Sequence, residues 1–160
     1  MTIKKSLLLA AVLFISTLGC GEYSDAQLNL KQALPGMWIT SKIEVTIHGL
    51  NGTDSTLVEK VEESTWRNRF FVHPPEYYFG SDNKYQRVHR SLADTLISNA
   101  RGLWNTFGDT LMLIEPDATY QYVVSKEKEQ IVFKTMVDWD GDGQNDDEFT
   151  SWQRLLRKMK

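Results

Sequence analysis

The feature that most constrains this chain is the recurrence of short turn sequences between runs of β-branched and aromatic residues. Each interval is long enough for one strand, and no long helical periodicity alternates with the intervals. The turn sequences are Asn51-Gly52, 80–83, Gly108-Asp109, 115–117 and 126–128. Short strands in direct succession predict hairpins, so we expect an all-β fold built as an antiparallel up-and-down meander.

The first predicted strand, residues 38–47, has the clearest strand pattern. Apolar residues alternate with polar ones along it, at Ile39, Ile43, Val45 and Ile47. This period of two indicates a half-buried strand. Trp38 has the opposite parity, so either the strand bulges early or its apolar face packs against another layer.

The same signals predict the other strands at 56–61, 77–79, 85–89, 102–107, 110–114, 119–125, 131–137 and 149–155. A short helix is expected at 62–70, where Trp66 and Phe70 have helical spacing. A meander of about eight to nine strands favours a closed barrel over a sandwich of Greek keys, because closure removes exposed sheet edges.

The N-terminus has the layout of a secretion signal, with Lys4 and Lys5, an apolar run at 7–15 and small residues before Cys20. That run is too short to span a bilayer. The sequence Thr17-Leu18-Gly19-Cys20 resembles the lipobox of bacterial lipoproteins, which implies cleavage before Cys20 and its acylation. The other interpretation is an ordinary signal followed by a free thiol.

The lipobox resemblance and Pro35, which blocks continuation of a short helix expected upstream, divide the chain into three parts. These are a signal peptide at 1–19, a lipidated tether at 20–35 and a barrel domain at 36–160. The lipobox resemblance also implies a protein held in the cell envelope by its lipid anchor, at the outer membrane. Loss of the two signal lysines leaves 16 basic against 21 acidic residues, so the formal net charge changes from −3 to −5. A nucleic-acid partner is therefore not expected.

Two Gly-x-Trp sequences, Gly36-Met37-Trp38 and Gly102-Leu103-Trp104, each begin a predicted strand or lie within one. The first resembles the opening of the lipocalin barrel, and the second, with the turn and strand after it, resembles bacterial lipocalin-like lipoproteins. The resemblance implies that the domain at 36–160 is a lipocalin-like barrel whose first strand opens at Gly36 and whose narrow end is closed by Trp38. It also implies that Arg154 or Arg157 stacks over the Trp38 indole. Otherwise the two tryptophans are ordinary core aromatics of another meander.

The same resemblance implies a small apolar ligand inside the barrel, lined by aromatic residues. The candidates are Tyr78, Tyr85, Trp104, Tyr122 and Phe133. A barrel of eight strands is just wide enough to be filled by side chains or to hold one small ligand. The alternative is therefore a filled barrel that serves as a structural or interaction subunit of an envelope complex.

An acidic loop at 138–148 carries six carboxylates in eleven residues. Asp138, Asp140, Asp142, the Gln144 carbonyl and Asp146 fall at alternate positions, with Gly143 at the sharp turn, as in calcium-binding loops. Phe149 stands where an EF-hand has its bidentate Glu, and Asp147 or Glu148 would replace it only in a loop one residue shorter. The pattern predicts a structural calcium ion, or else a solvated acidic hairpin without metal.

Motifs for catalysis are missing from the sequence. His48, His73 and His89 lack metal-ligand spacing, and there is neither a Gly-x-Ser-x-Gly elbow nor a phosphate-binding loop. The single cysteine excludes an internal disulfide and a multi-cysteine zinc site. We therefore expect a binding or interaction protein rather than an enzyme.

Overall fold

The computed structural model describes residues 28–49 and 55–159. In chain order, its helices and strands are α1 (Leu30–Ala33), β1 (Gly36–Ile47), β2 (Leu57–Glu62), α2 (Glu63–Phe70), β3 (Glu76–Phe79), β4 (Lys84–Arg90), β5 (Leu96–Phe107), β6 (Thr110–Ile114), β7 (Thr119–Glu127), β8 (Gln130–Val137) and β9 (Asp147–Lys158). The predicted strands and the predicted short helix are confirmed. In these two stretches, neither helix has the length and apolar character needed to cross a membrane.

The strands form one antiparallel sheet in the order β2-β1-β3-β4-β5-β6-β7-β8-β9, and β9 also pairs with β1. This last pairing closes eight strands, β1 and β3 to β9, into a barrel. The ninth, β2, pairs with β1 from Lys42 to Ile47, beyond the segment at 36–39 that pairs with β3. The predicted all-β, lipocalin-like barrel is therefore confirmed.

A bulge in β1 explains the parity conflict seen in the sequence. The register between β1 and β9 is Thr40 to Gln153 and then Lys42 to Trp152, so Ser41 is the extra residue. Trp38 and Thr40 before the bulge are buried, and so are Ile43, Val45 and Ile47 after it. The early bulge puts both sets on the inner face, and Ile39 is left outside the core.

One half of the barrel is filled by side chains. Its core contains Leu30, Leu34, Trp38, Phe79, Tyr85, Trp104, Leu111, Leu113, Val124, Ile131 and Phe133. Phe79 lies at the centre, with ring centroids 5.9 Å from Trp104, 6.3 Å from Tyr85 and 6.4 Å from Phe133. We call this the closed half, because helix α1 covers its end.

Helix α1 closes this end, which changes two sequence-based expectations. Leu30 and Leu34 are buried against Trp38, and the indole Nε1 of Trp38 donates to the Leu34 carbonyl at 2.8 Å. The folded core therefore begins upstream of the predicted domain start at residue 36. At Gly36 itself, a Cβ would lie 2.8 Å from the Arg157 carbonyl oxygen, so the closure of β1 on β9 requires glycine there.

The second correction concerns the arginine expected over Trp38. The guanidinium of Arg154 lies on the outside of β9 and binds the Glu63 carboxylate at 2.9 Å. Arg157 donates to the sulfur of Met37 at 3.4 Å. Since α1 already covers the indole, neither arginine closes the barrel; the basic residue at this end is Lys158, whose Nζ donates to the carbonyls of Gln32 and Ala33.

Helix α2 begins with a capping box between Glu62 and Thr65, and Phe71, directly after its last residue, caps it in a left-handed backbone conformation. Its apolar residues Trp66 and Phe70 pack with Ile43 and Val61 in a second core cluster. This cluster lies at the end of the barrel opposite α1, and it positions the candidate site.

Candidate functional site

A pocket of about 420 Å³ opens into the barrel at the end opposite α1. It is lined by Thr40, Ile43, Trp66, Phe70, Val72, His73, Pro75, Tyr77, Arg87, His89, Trp139, Phe149 and Ser151. We call it the mouth pocket. Strands β1, β3, β4 and β9 supply its inner wall, while α2 and the two segments 71–75 and 138–146 supply its rim.

The rim of the mouth pocket is mostly apolar and aromatic. Trp66 and Phe70 of α2 are 5.0 Å apart between ring centroids, and Trp139 and Phe149 are 6.0 Å apart. The indole Nε1 of Trp139 donates to Glu59 at 3.2 Å, so this ring is held by strand β2. Aromatic rings fixed in this way offer an apolar ligand a large contact area.

A buried polar ladder lies beneath these rings. The Thr40 hydroxyl donates to Gln153 Oε1 at 3.1 Å, and Gln153 Nε2 donates to the Ser151 hydroxyl oxygen at 3.1 Å. All three residues are buried. The Gln153 amide thus links the two hydroxyl groups, with its oxygen bound to Thr40 and its nitrogen bound to Ser151.

Arg87 brings a charge into the inner wall, and Glu115 balances it. Their side chains are 3.1 Å apart, and the hydroxyl of Tyr85 donates to the same carboxylate oxygen. Burial, and then the Glu115 carboxylate, raise the pKa of Tyr85, so its phenol stays protonated. The guanidinium also lies 5.4 Å from the ring centroid of Tyr120. Burial raises the pKa of Tyr77, although Arg87 opposes that shift.

Two histidines line the same pocket. Burial lowers the pKa of His89, and the nearby charge of Arg87 lowers it further, so the imidazole is neutral at neutral pH. His73 Nε2 lies 3.5 Å from the exposed carboxylate of Asp94. The histidines are thus brought to one pocket by the fold, which their scattered positions in the sequence did not indicate.

The five aromatic residues predicted to line a ligand fall in three places. Tyr85, Trp104 and Phe133 are buried in the closed half, and the Trp104 indole donates to the Gly80 carbonyl at 2.9 Å. Tyr122 lines a second recess of about 310 Å³, which shares Tyr77, Arg87, Trp139 and Phe149 with the mouth pocket. The expectation for Tyr78 needs correction, since it alternates with Tyr77 and Phe79 and so lies on the outer face of β3.

Sequence reasoning missed most of the residues that line the pocket. Tyr85, Arg87 and His89 share one face of β4, but polar residues lie on both faces of this strand, so alternation gave no signal. The spacing of Trp66 and Phe70 does predict the apolar face of a helix. The sequence of that helix does not indicate that its apolar face lies over the open end of the barrel.

The acidic loop brings three carboxylates together. Oxygen atoms of Asp138, Asp140 and Asp147 all lie within 4.8 Å of one another, a spacing that could hold a metal ion. Asp138 accepts hydrogen bonds from the Gly141 and Gly143 amides at 2.8 and 3.0 Å. Gly143 has a φ of +90°, which confirms the sharp turn expected there.

The remaining predicted ligands lie outside this cluster. Asp142 accepts from the backbone and side-chain amides of Gln144 at 2.7 and 3.0 Å. Asp146 is half-buried at the end of the loop. The third carboxylate of the cluster comes instead from Asp147, which the sequence offered only as a substitute in a shortened loop.

The predicted lipidation site, Cys20, lies outside the described residues, which begin at Leu28. In comparisons with known proteins, the chain matches no family model, and no curated protein or solved structure shows significant similarity to it. The function is therefore inferred from the geometry of the mouth pocket and the acidic loop.

Proposed function

We propose that this protein binds a small, mainly apolar molecule in the mouth pocket. The observation that carries the proposal is the division of the barrel into a closed half filled by aromatic side chains and an open half with a pocket of about 420 Å³. Small-molecule pockets typically enclose about 300 to 1,000 Å³, with apolar walls and a few polar groups. The rim of aromatic rings above a short polar ladder has this character.

Binding of a neutral fluorescent probe, N-phenyl-1-naphthylamine, tests the proposal. Val72→Trp would fill the pocket and should weaken saturable binding at least tenfold, whereas Val88→Trp changes a half-buried valine on the outer face of the barrel. The control should bind as the wild type does. Absence of saturable binding to the wild type, or equal loss in both variants, would refute the proposed function.

The protein is further proposed to be a lipoprotein anchored in the envelope through acylated Cys20. The proposal is supported by the lipobox-like sequence and by the position of Leu28 next to the closed half, which would direct the mouth pocket away from the membrane. Cys20→Ser should abolish acyl labelling and release the protein from the membrane fraction. Unchanged fractionation of that variant would contradict the anchor.

Calcium is the ion that we propose for the acidic loop, since an all-oxygen set of carboxylates suits this hard cation. Calcium at tenfold excess over its Kd would stabilise the folded state by about 1.4 kcal/mol. The double variant Asp138→Asn, Asp140→Asn should lose the rise in melting temperature, while Asp109→Asn, in an exposed turn, should keep it. A melting temperature indifferent to calcium and chelator would exclude the site.

The alternative function is that of an interaction subunit, and one observation favours it. Leu92, Leu96 and Ile97 are exposed around the β4–β5 turn, and in the described residues the segment 96–101 of β5 pairs with β4 alone. A photoreactive residue at position 97 should then cross-link to one defined envelope protein, and one at Lys134, exposed on β8, should not. Cross-linking without probe binding would favour this alternative.

A further inference from the structure

One residue that lines the mouth pocket, Trp66, has a buried hydrogen-bond donor without a partner in the part of the chain that the structure describes. Trp66 is 6% exposed, and its Nε1 is, within the described residues, the one buried side-chain nitrogen or oxygen without a hydrogen-bond partner. A buried donor without an acceptor is costly, so a ligand that supplies an acceptor would gain from this site.

Each basic group that lines the pocket either lies beside a carboxylate or is kept neutral. Arg87 is 3.1 Å from Glu115, and His73 is 3.5 Å from Asp94. Burial and the charge of Arg87 lower the pKa of the third group, His89, which keeps this imidazole neutral. A carboxylate on the ligand would therefore find no unpaired positive charge among the described residues that line this partly buried pocket, which is unfavourable.

We infer that the ligand is an uncharged apolar molecule with a carbonyl oxygen that accepts a hydrogen bond from Trp66 Nε1. A carbonyl accepts and does not donate, which matches a pocket that offers a donor. The aromatic rim and Ile43 would hold the hydrocarbon part of the molecule. This inference rests on the proposed function of the mouth pocket and narrows its ligand class.

Three probes of nearly equal shape test separately whether the ligand needs a carbonyl acceptor and whether it must be uncharged. They are 2-acetylnaphthalene, which carries a neutral carbonyl, 2-isopropenylnaphthalene, which lacks it, and 2-naphthoate, which is charged. Titrated calorimetrically into the full chain, the ketone should bind about tenfold more tightly than the hydrocarbon, because it satisfies a buried donor. It should also bind more tightly than the naphthoate.

Two tryptophan variants identify the donor. Trp66→Phe keeps an aromatic ring and removes the N–H, so it should abolish the tenfold preference for the ketone over the hydrocarbon. Trp152→Phe is the matched control, since it removes an indole N–H that is bound to Glu127 outside the residues that line the mouth pocket. Its preference for the ketone should be that of the wild type.

Nuclear magnetic resonance of the wild type gives a readout that does not depend on how the variants fold. The indole N–H proton of Trp66 should shift downfield with the ketone and not with the hydrocarbon. Equal affinities for ketone and hydrocarbon, an unmoved indole proton or preferred binding of naphthoate would overturn the inference and leave the proposed function standing. Failure of all three probes to bind would overturn both.

Discussion

At the scale of single residues, Asp147 links three segments at the open end of the barrel. Its side chain is 0% exposed and accepts hydrogen bonds from the amides of His48, Trp139 and Asp140 at 2.9, 2.7 and 3.3 Å. Burial by itself raises the pKa of Asp147, but the three amides outweigh it and hold the pKa below its ordinary value. The ionised carboxylate therefore fixes the acidic loop against the end of β1.

Replacement of Asp147 by alanine should lower the free energy of unfolding by roughly 2 to 4 kcal/mol, because buried amides lose their acceptor. The matched control is Asp142→Ala, in an exposed part of the same loop, where the carboxylate accepts from Gln144 alone among the described residues. That variant should lose less than about 1 kcal/mol. Urea denaturation measures both values, and similar losses in the two variants would contradict the role given to Asp147.

The same contacts make stability depend on pH. Because the folded pKa of Asp147 is lowered, its contribution is complete above the unfolded pKa and is lost as pH falls through the folded pKa. The difference in unfolding free energy between the wild type and Asp147→Ala should therefore shrink on acidification below the ordinary range of aspartate. A difference that stays constant as the pH falls through and below that range would show that the charge is not responsible.

At the scale of elements, the bulge in β1 decides which side chains enter the barrel. Ser41 is the extra residue, and its hydroxyl donates to the Trp152 carbonyl at 3.1 Å and accepts from Gln130 Nε2 at 2.7 Å. A shift of one residue moves every later side chain of a strand to the opposite face. The bulge therefore lets Trp38 seal the closed half and Ile43 line the mouth pocket from one strand.

Deletion of Ser41 should abolish cooperative folding, because Ile43, Val45 and Ile47 would turn outward and the polar residues between them inward. Ser41→Ala keeps the extra residue and removes two hydrogen bonds, so its cost should be about 1 to 2 kcal/mol. Circular dichroism during thermal unfolding distinguishes the two. A cooperative transition near that of the wild type in the deletion variant would show that the bulge is dispensable.

A second prediction at this scale concerns helix α1, which closes one end of the barrel although it has only four residues. Leu34, directly after it, is fully buried, so Leu34→Ala should cost about 2 to 5 kcal/mol by leaving a cavity beside Trp38. Lys31→Ala, on the exposed side of α1, should change the unfolding free energy by less than about 0.5 kcal/mol. Similar values for the two would mean that the segment is only a tether.

At the scale of the whole molecule, the barrel has a closed half and an open half. The closed half contains the ring cluster around Phe79, and the open half contains the mouth pocket and the acidic loop. Stability and binding are therefore expected to depend on different residues. This separation lets one small barrel keep a well-packed core and still hold a ligand.

Two phenylalanine substitutions test that separation. Phe79→Ala, at the centre of the closed half, should cost about 3 to 5 kcal/mol of stability. Phe70→Ala, at the half-buried rim, should cost less than about 2 kcal/mol and should weaken probe binding severalfold more than Phe79→Ala does. Chemical denaturation and fluorescence titration supply the two measurements. The reverse order in both would contradict the division into two halves.

The sequence by itself determined the strands, the turns and the short helix, because each depends on local signals. Each of these signals is contained in a short stretch of sequence. Examples are the alternation after Thr40, the Gly108-Asp109 turn and the spacing of Trp66 and Phe70. The alternating carboxylates of the acidic loop are local in the same way. Closure of the barrel followed from consecutive hairpins and the absence of long helices.

Only the tertiary structure decided which face each aromatic residue occupies and where the cavity lies. The bulge at Ser41, the pairing of Arg87 with Glu115 and the closure by α1 each depend on contacts between segments distant in the chain. The position of Trp66 over the mouth is decided in the same way. Such contacts are set by the register and packing of the whole barrel, which local periodicity does not encode.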